Sequence, residues 1–263
     1  MGILGDFLKL VQNENMKIYR RLRTWIMFGL TALLTIMFGV LFSLEGGSTV
    51  LSAWDVISQL FFLYFLATIF SVIVASDIVA GEFTWGTIKL LLIRPWTRTK
   101  VLLSKLIAVL LFTIALTVVF MIAAMAISFL LFHKESSDIF AQGDSPLRYI
   151  MESLLYKYID LVVITVFSFM ISTVFRSGGI AIGLSMFILF TGNIFTMLFS
   201  PARYSWAKYV LFVNMDLGQY MGQGAITPAA GMSLAFSSWI LAAYVLLFLV
   251  ISWIVFKKRD VAA

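Results

Sequence analysis

Residues 106–132 read LIAVLLFTIALTVVFMIAAMAISFLLF, a run of 27 residues without one charged side chain. A helix rises about 1.5 Å per residue, so roughly 20 residues cross the ~30 Å hydrocarbon core of a bilayer. Of the 263 residues 62% are hydrophobic and 12% are charged, against about 25% charged in an ordinary soluble domain. This apolar run and the composition together predict an all-α integral membrane protein and exclude a soluble enzyme.

Five further apolar runs resemble this one, which gives six predicted spans. They are Trp25–Leu44, Val56–Ala75, Leu106–Phe132, Leu154–Phe175, Ile180–Phe199 and Leu234–Phe256. All 4 prolines fall outside these spans, as expected where a helix must keep its backbone hydrogen bonds in lipid. The transmembrane domain is therefore predicted to cover residues 25–256, followed by a tail at 257–263.

The basic residues predict the orientation. Of the 19 Lys and Arg, 14 fall on the side of the N-terminus and 5 on the opposite side. Because cytoplasmic loops are enriched in Lys and Arg, we expect both termini in the cytoplasm. The net charge of +6 reflects this topology, so no nucleic-acid partner is expected.

Two segments outside the spans have a pattern of their own. Residues 1–24 repeat apolar residues at steps of three or four, at Leu4, Leu8, Val11, Ile18 and Leu22, which favours an amphipathic helix on the inner membrane surface over a solvated basic flank. Residues 200–233 are too apolar for a free loop and too short to span twice, which predicts an outer re-entrant or interfacial helical pair.

No catalytic or cofactor site is evident. There is no cysteine, a single histidine (His133) and no phosphate-binding loop, so the chain is predicted to bind no cofactor and to be no enzyme. The deepest ionisable pair is Lys157 with Asp160, three residues apart near the outer end of span four. It suits an interfacial ion pair, with a substrate or ion contact as the alternative.

The inner loop 77–105 carries more information. Residues Glu82 to Leu92 suit a short amphipathic helix that Arg94-Pro95 stops, and Thr97 is placed to cap the helix that continues into span three. Apolar residues such as Trp85 and Trp96 beside charges indicate a docking surface. We expect this helix to act as a lever across the cytoplasmic mouth of spans two and three.

Three motifs in this order resemble those of type-2 ABC exporter permeases. The loop pattern Glu82…Gly86-Thr87-Ile88-Lys89-Leu-Leu-Leu…Arg94-Pro95…Arg98…Leu102-Leu103…Lys105 is similar to that family's coupling loop. The start Asn13–Arg21, with Glu14, Lys17 and Arg21, resembles its elbow helix, and Phe175–Gly183 resembles its turn between spans four and five. The resemblance runs through the whole chain.

The resemblance implies a mechanism. Two permease subunits, identical or different, would pair in the membrane, and two ABC ATP-binding subunits holding ATP and Mg²⁺ would dock below. Residues Glu82 to Lys89 would form the coupling helix, with Glu82 and Lys89 on the ATPase. Trp85, Ile88 and Leu92 would pack at the joint.

The fifth span contains a G-x-x-x-G match at Gly179 and Gly183. This match permits close approach across a dimer face or local packing within one subunit. Phe187 and Phe190 on the same span could line an apolar pathway or face lipid.

Few fixed charges lie in the bundle, which favours an amphipathic or hydrophobic cargo: an antimicrobial peptide, a lipid-linked molecule or a drug. The predicted function is thus the permease subunit of an ATP-driven exporter in a bacterial plasma membrane. A sodium exporter and a non-pumping peptide-resistance or sensor protein are the alternatives, and a membrane enzyme has the least support.

Overall fold

The computed structural model describes residues 3–47, 51–86, 96–133, 145–175, 177–199, 201, 203–221 and 232–258. The elements formed by these residues are helices. The first half contains α1 Ile3–Tyr19, α2 Leu22–Phe42, α3 Ala53–Leu60, α4 Tyr64–Thr84 and α5 Arg98–Leu131. The second half contains α6 Pro146–Val174, α7 Gly178–Leu198, α8 Leu211–Met215 and α9 Leu234–Lys258.

Short irregular turns extend several helices. A π-helical turn, Ser43–Gly47, continues α2, and a 3-10 turn, Phe61–Leu63, joins α3 to α4. Two more 3-10 turns, Ser205–Tyr209 and Leu217–Tyr220, flank α8. The side chain and backbone of Ser52 and Asp55 form a reciprocal capping box at the start of α3.

Five helical stretches are long and apolar enough to cross a membrane: Leu22–Glu45, Ala53–Thr84, Arg98–Leu131, Pro146–Val174 and Leu234–Lys258. Five of the six predicted spans fall in them. The remaining one corresponds to α7, whose apolar stretch Gly178–Gly192 is shorter. The chain is therefore a multi-pass membrane protein.

Helices α4, α5 and α6 form the centre of the bundle. Half of the residues in the apolar stretches of α4, α5 and α6 are buried, against 22% in α2 and α9, which lie at the periphery. Helix α4 packs against α5, α6 and α7, whereas α1, α2 and α3 pack against α5. Large apolar side chains on α2 and α9 are exposed, as expected for surfaces that face lipid.

Several helices begin or end at one end of this bundle, which we call the α1 end because α1 lies there. There the guanidinium of Arg98 donates to the Lys257 carbonyl at 3.1 Å, and the backbone N–H of Gly178 donates to Thr84 Oγ1 at 3.0 Å. Helices α2, α5 and α7 thus begin at this end, and α4, α6 and α9 finish there.

The corner between α1 and α2 is fixed by side chains that cap the last carbonyls of α1. Thr24 Oγ1 donates to the Ile18 carbonyl at 2.6 Å, and Trp25 Nε1 donates to the Tyr19 carbonyl at 2.9 Å. These carbonyls have no partner within their own helix, so the bonds hold α1 at a set angle to α2.

The opposite end, the far end, is covered by residues 203–221. Asn214 is buried and donates to the carbonyls of Lys208 and Val210 at 2.8 and 2.9 Å, while Ser237 Oγ of α9 donates to its Oδ1 at 2.9 Å. Phe212 lies so close to α7 that a Cβ on Gly192 would approach its ring to 2.9 Å. The segment is helical in short pieces, and its predicted re-entry into the membrane stays a prediction.

Candidate functional site

Lys105 is the centre of a buried ionic network at the α1 end. Its Nζ lies 2.8 Å from Glu14 Oε2, 3.1 Å from Glu82 Oε1 and 3.2 Å from the Ile78 carbonyl oxygen. Lys105 and Glu14 side chains are each 1% exposed. An ammonium at this depth requires such partners, because desolvation of an unpaired charge costs several kcal/mol.

Helix α1 brings Glu14 into the network on its buried face. Leu10, Val11 and Ile18 lie on this face with Glu14 and pack into the bundle. Of the apolar residues predicted to repeat in residues 1–24, Val11 and Ile18 are buried in the bundle, whereas Leu8 and Leu22 are exposed. A carboxylate paired with a buried lysine takes the place of an apolar residue on the buried face, which hydrophobic periodicity cannot show. The predicted place of this helix on the inner membrane surface stays a prediction.

Lys17 completes the network, which we define as Glu14, Lys17, Glu82 and Lys105. Its Nζ donates to Glu14 Oε1 at 2.8 Å and to Glu82 Oε1 at 2.9 Å. Burial lowers the pKa of Lys17, but the hydrogen bonds and negative charges of the two glutamates outweigh it and raise that pKa above its ordinary value of 10.5. Three elements, α1, α4 and α5, are thereby joined by one set of charges.

A second group lies beside the network around Asp77 of α4. Asp77 Oδ2 accepts hydrogen bonds from Arg21 Nη1 at 2.6 Å and from Arg23 Nη2 at 2.5 Å. The other oxygen, Oδ1, fits against glycine: a Cβ on Gly81 would approach it to 2.7 Å and one on Gly178 to 3.1 Å. Asp77 therefore links the α1–α2 corner to the start of α7.

Hydroxyl groups join α4 to α6 and α7 at the same level. Ser172 Oγ of α6 accepts from the backbone N–H groups of Val79 and Ala80 at 3.1 and 3.0 Å. Thr84 accepts from Gly178 as described above. The last two turns of α4 are consequently bonded to α1, α2, α5, α6 and α7.

The arrangement is suited to holding helices together. A cavity of about 30 Å³ borders the network, enough for a single water molecule. Within the described ranges no group of three or more His, Asp or Glu is placed to hold a metal ion. Every carboxylate of the network and of the Asp77 group is paired with a cation.

The predicted coupling loop is placed in part. Glu82 belongs to the last turn of α4, which ends at Thr84, and Gly86 follows with a φ of +67°, a conformation that favours glycine. The prediction of one helix from Glu82 to Leu92 is therefore wrong at its start, because the span-two helix continues through Glu82 and the positive φ at Gly86 breaks it. Thr87, Ile88, Lys89, Leu92 and Arg94 lie outside the described residues.

Two side chains that flank the loop are informative. Trp85 is 78% exposed at the end of α4. Thr97 accepts a hydrogen bond from the Lys100 N–H at 3.4 Å and begins α5, which confirms the predicted cap. The contact of Glu82 with an ATPase stays a prediction, and in the structure its carboxylate faces Lys17 and Lys105.

The predicted residues of α7 lie on an open face. Gly179 and Gly183 are exposed, and a Cβ on Gly183 would meet nothing within 4 Å. Local packing of this glycine pair against the described part of the same chain is therefore not observed. Phe187 is exposed, and Phe190 packs edge-on against Phe65 at a ring distance of 5.8 Å.

Two residues of the site, Asp77 and Arg23, were not selected from the sequence, and Lys105 was named only as the last position of the coupling-loop motif. The available signal was a charged residue next to apolar residues. Lys105 stands within Val101-Leu-Leu-Ser-Lys105-Leu-Ile, and Asp77 is followed by Ile78 and Val79. A charge in this position usually has a partner. Its partner, however, comes from another helix and cannot be read from the local pattern.

These features define a class: a multi-pass helical membrane protein whose N-terminal helix is joined to the bundle by buried ion pairs. The chain belongs to the family DUF2705, described as a protein of unknown function, whose model matches residues 22–262.

Two relatives come from Bacillus subtilis (strain 168). The chain is 30% identical to "Uncharacterized protein YhcI" over 314 aligned positions, which cover 97% of this chain and 99% of that protein. It is 31% identical to "Uncharacterized membrane protein YdbK" over 191 positions, covering 73% of this chain and 76% of that protein.

Proposed function

We propose that this chain is the permease subunit of an ATP-driven exporter of the type-2 ABC class. The observation that carries the proposal is the Lys105 network, which joins α1, α4 and α5 directly before the loop that follows Gly86. A force applied to that loop by a cytoplasmic partner would move the three helices together, because separating them exposes or unpairs buried charges.

Topology supports the same function. The α1 end carries most of the basic residues, among them Lys9, Arg20, Arg21, Arg98 and Lys257, so by the positive-inside rule this end is cytoplasmic. Helix α7 serves as the fifth of six spans and α1 as the elbow helix, and both termini lie on the cytoplasmic side of a bacterial plasma membrane. The outward-facing short helices then cover the far end.

The expected partners follow from the missing phosphate-binding loop and from the exposed positions Trp85, Gly179 and Gly183. ATP and Mg²⁺ would be bound by two copies of an ABC ATP-binding subunit that docks on Trp85 and the loop after it. A second permease subunit would cover the open face of α7 at Gly179 and Gly183, where small residues permit close helix contact. The cargo is an amphipathic or hydrophobic molecule such as an antimicrobial peptide, a lipid-linked molecule or a drug.

The test first looks for a gene beside this one that encodes an ATP-binding protein, and then co-expresses and co-purifies that protein with this chain in lipid nanodiscs. Trp85→Ala should weaken docking about tenfold, since an exposed tryptophan is a typical interface anchor. Trp239→Ala is the matched control, because Trp239 is 77% exposed, as Trp85 is 78% exposed, but lies on α9 away from the α1 end. Docking is read from co-purification and from ATPase activity.

A second variant tests the lever. Proline cannot adopt the φ of +67° at Gly86, so Gly86→Pro should lower substrate-stimulated ATPase activity while membrane insertion stays normal. Absence of any ATP-binding partner, or equal effects of Trp85→Ala and Trp239→Ala, would contradict the proposal. Transport by the purified chain alone would favour a different class of protein.

A further inference from the structure

A cleft of about 660 Å³ opens at the far end of the bundle, remote from the ionic network. It lies between the α3–α4 junction, α6, α7 and the short helices of residues 203–221. Six of the 18 residues that line it are aromatic: Phe61, Phe62, Tyr64, Phe65, Phe190 and Phe212. A volume of this size is typical of small-molecule sites, which are commonly about 300–1,000 Å³.

Three ionisable residues line the same cleft: Lys157, Asp160 and Asp216. With two carboxylates and one ammonium, the cleft has a negative formal charge. The predicted ion pair between Lys157 and Asp160 does not form: in the part of the chain that the structure describes, neither makes a salt bridge. Lys157 is instead exposed.

Asp160 is the unusual member of this set. Its Oδ1 atom is buried and has no hydrogen-bond partner among the described residues. A buried polar oxygen without a partner costs about 1–3 kcal/mol, and more when it is charged. Of the six buried side-chain polar atoms without a partner in the described part of the chain, the Asp160 atom is the only carboxylate oxygen, and Asp160 lines this cleft.

We propose that this cleft binds an amphipathic cation, with its ammonium group at Asp160 and Asp216 and its apolar body against the aromatic walls. An ammonium supplies the hydrogen-bond donor that Oδ1 lacks, and aromatic faces attract cations further. An anion would meet two carboxylates, and a neutral apolar molecule would leave Asp160 unpaired. The proposal that the cleft binds such a cation does not depend on the proposed function. The further step, that this cation is the exported cargo, rests on the proposed function.

The test compares two probes of the same shape: 4-phenylbenzylamine, which is cationic at neutral pH, and 4-phenylbenzyl alcohol, which is neutral. Binding to the purified chain in nanodiscs is measured by titration calorimetry, with empty nanodiscs as the blank for lipid partitioning. We expect the amine to bind at least about tenfold more tightly than the alcohol, which is the effect of ~1.4 kcal/mol of charge attraction.

Variants locate the site. Asp160→Asn should remove most of the preference for the amine, and Lys157→Met should increase it. Glu152→Gln is the matched control, because it removes a carboxylate from the same helix that pairs with Arg148 outside the cleft. Asp216→Asn, at an exposed position, should reduce the preference even if the Asp160 variant does not fold.

Equal affinities for the amine and the alcohol in the unmodified chain would overturn the proposal. So would equal losses in Asp160→Asn and Glu152→Gln, or an unchanged preference in Asp216→Asn. Because no ATP-binding partner is present in the titration, failure of the exporter assignment would leave this result unaffected, and the reverse also holds.

Discussion

The Nζ atom of Lys105 on α5 lies 2.8 Å from Oε2 of Glu14 on α1, although 91 residues separate them in the chain. Both side chains are buried. Helix α1 is therefore part of the bundle, and more than an amphipathic helix adsorbed on a membrane surface. The pair also fixes the rotation of α1, since turning another face of the helix to the bundle would place Glu14 away from Lys105.

Lys105→Met should destabilise the protein by about 3–5 kcal/mol, because it removes the buried cation of the network and leaves Glu14 and Glu82 with the partly exposed Lys17 alone. Unfolding of the purified protein in mixed micelles measures the change. The control is Arg148→Met, since Arg148 pairs with Glu152 on an exposed surface and should contribute less than ~1 kcal/mol.

The double variant Glu14→Gln with Lys105→Met extends this experiment. It should recover part of the lost stability, because the buried carboxylate is neutralised together with its partner. Equal stabilities of Lys105→Met and Arg148→Met would show that the network does not hold α1.

Gly81→Ala should lower stability by about 1–3 kcal/mol, the usual effect of overpacking. The added Cβ would approach Asp77 Oδ1 to 2.7 Å, and Asp77 cannot move without disturbing its bonds to Arg21 and Arg23. Gly29→Ala on α2 is the control, because nothing lies within 4 Å of its Cβ. There, alanine should be neutral or slightly stabilising for its helix preference, and thermal melting would distinguish the two variants.

Ser172→Ala removes the hydroxyl that accepts two backbone N–H groups of α4, and should cost about 1–2 kcal/mol. Ser252→Ala serves as its match: Ser252 is equally buried, but its hydroxyl donates only to the Phe248 carbonyl of its own helix. Hydrogen exchange at Val79 and Ala80 should rise in the first variant alone. Unchanged exchange there would mean that the serine does not restrain α4.

The raised pKa of Lys17 predicts the direction of an alkaline effect. A cation whose pKa is higher in the folded state stabilises that state fully below its ordinary pKa of 10.5, and this contribution is lost as the pH rises through the folded-state value. The stability difference between the unmodified chain and Lys17→Met should therefore be constant near neutral pH and shrink above about pH 10.5. A difference that grows with pH would contradict the assignment.

Local signals predicted several features correctly. Thr97 precedes an apolar run and its hydroxyl accepts the Lys100 N–H, because an N-cap depends only on residues within one turn. The five long spans were evident for the same reason: a run of apolar residues of sufficient length is a property of the local chain. The start of the predicted helix at Glu82 was wrong, since amphipathic spacing does not show that α4 continues through this position to Thr84.

The sequence by itself determined that the chain is helical and lies in a membrane, because burying so much apolar surface in lipid requires helices with satisfied backbones. Only the tertiary structure decided that Glu14, Lys17, Glu82 and Lys105 meet, and that Asp160 lines an aromatic cleft without a partner. The physical reason is the separation along the chain over which each interaction acts. Hydrophobic runs and caps depend on residues that are close together in the sequence. A buried charge, by contrast, is matched by whichever helix the packing brings to it, here from as far as 91 positions away.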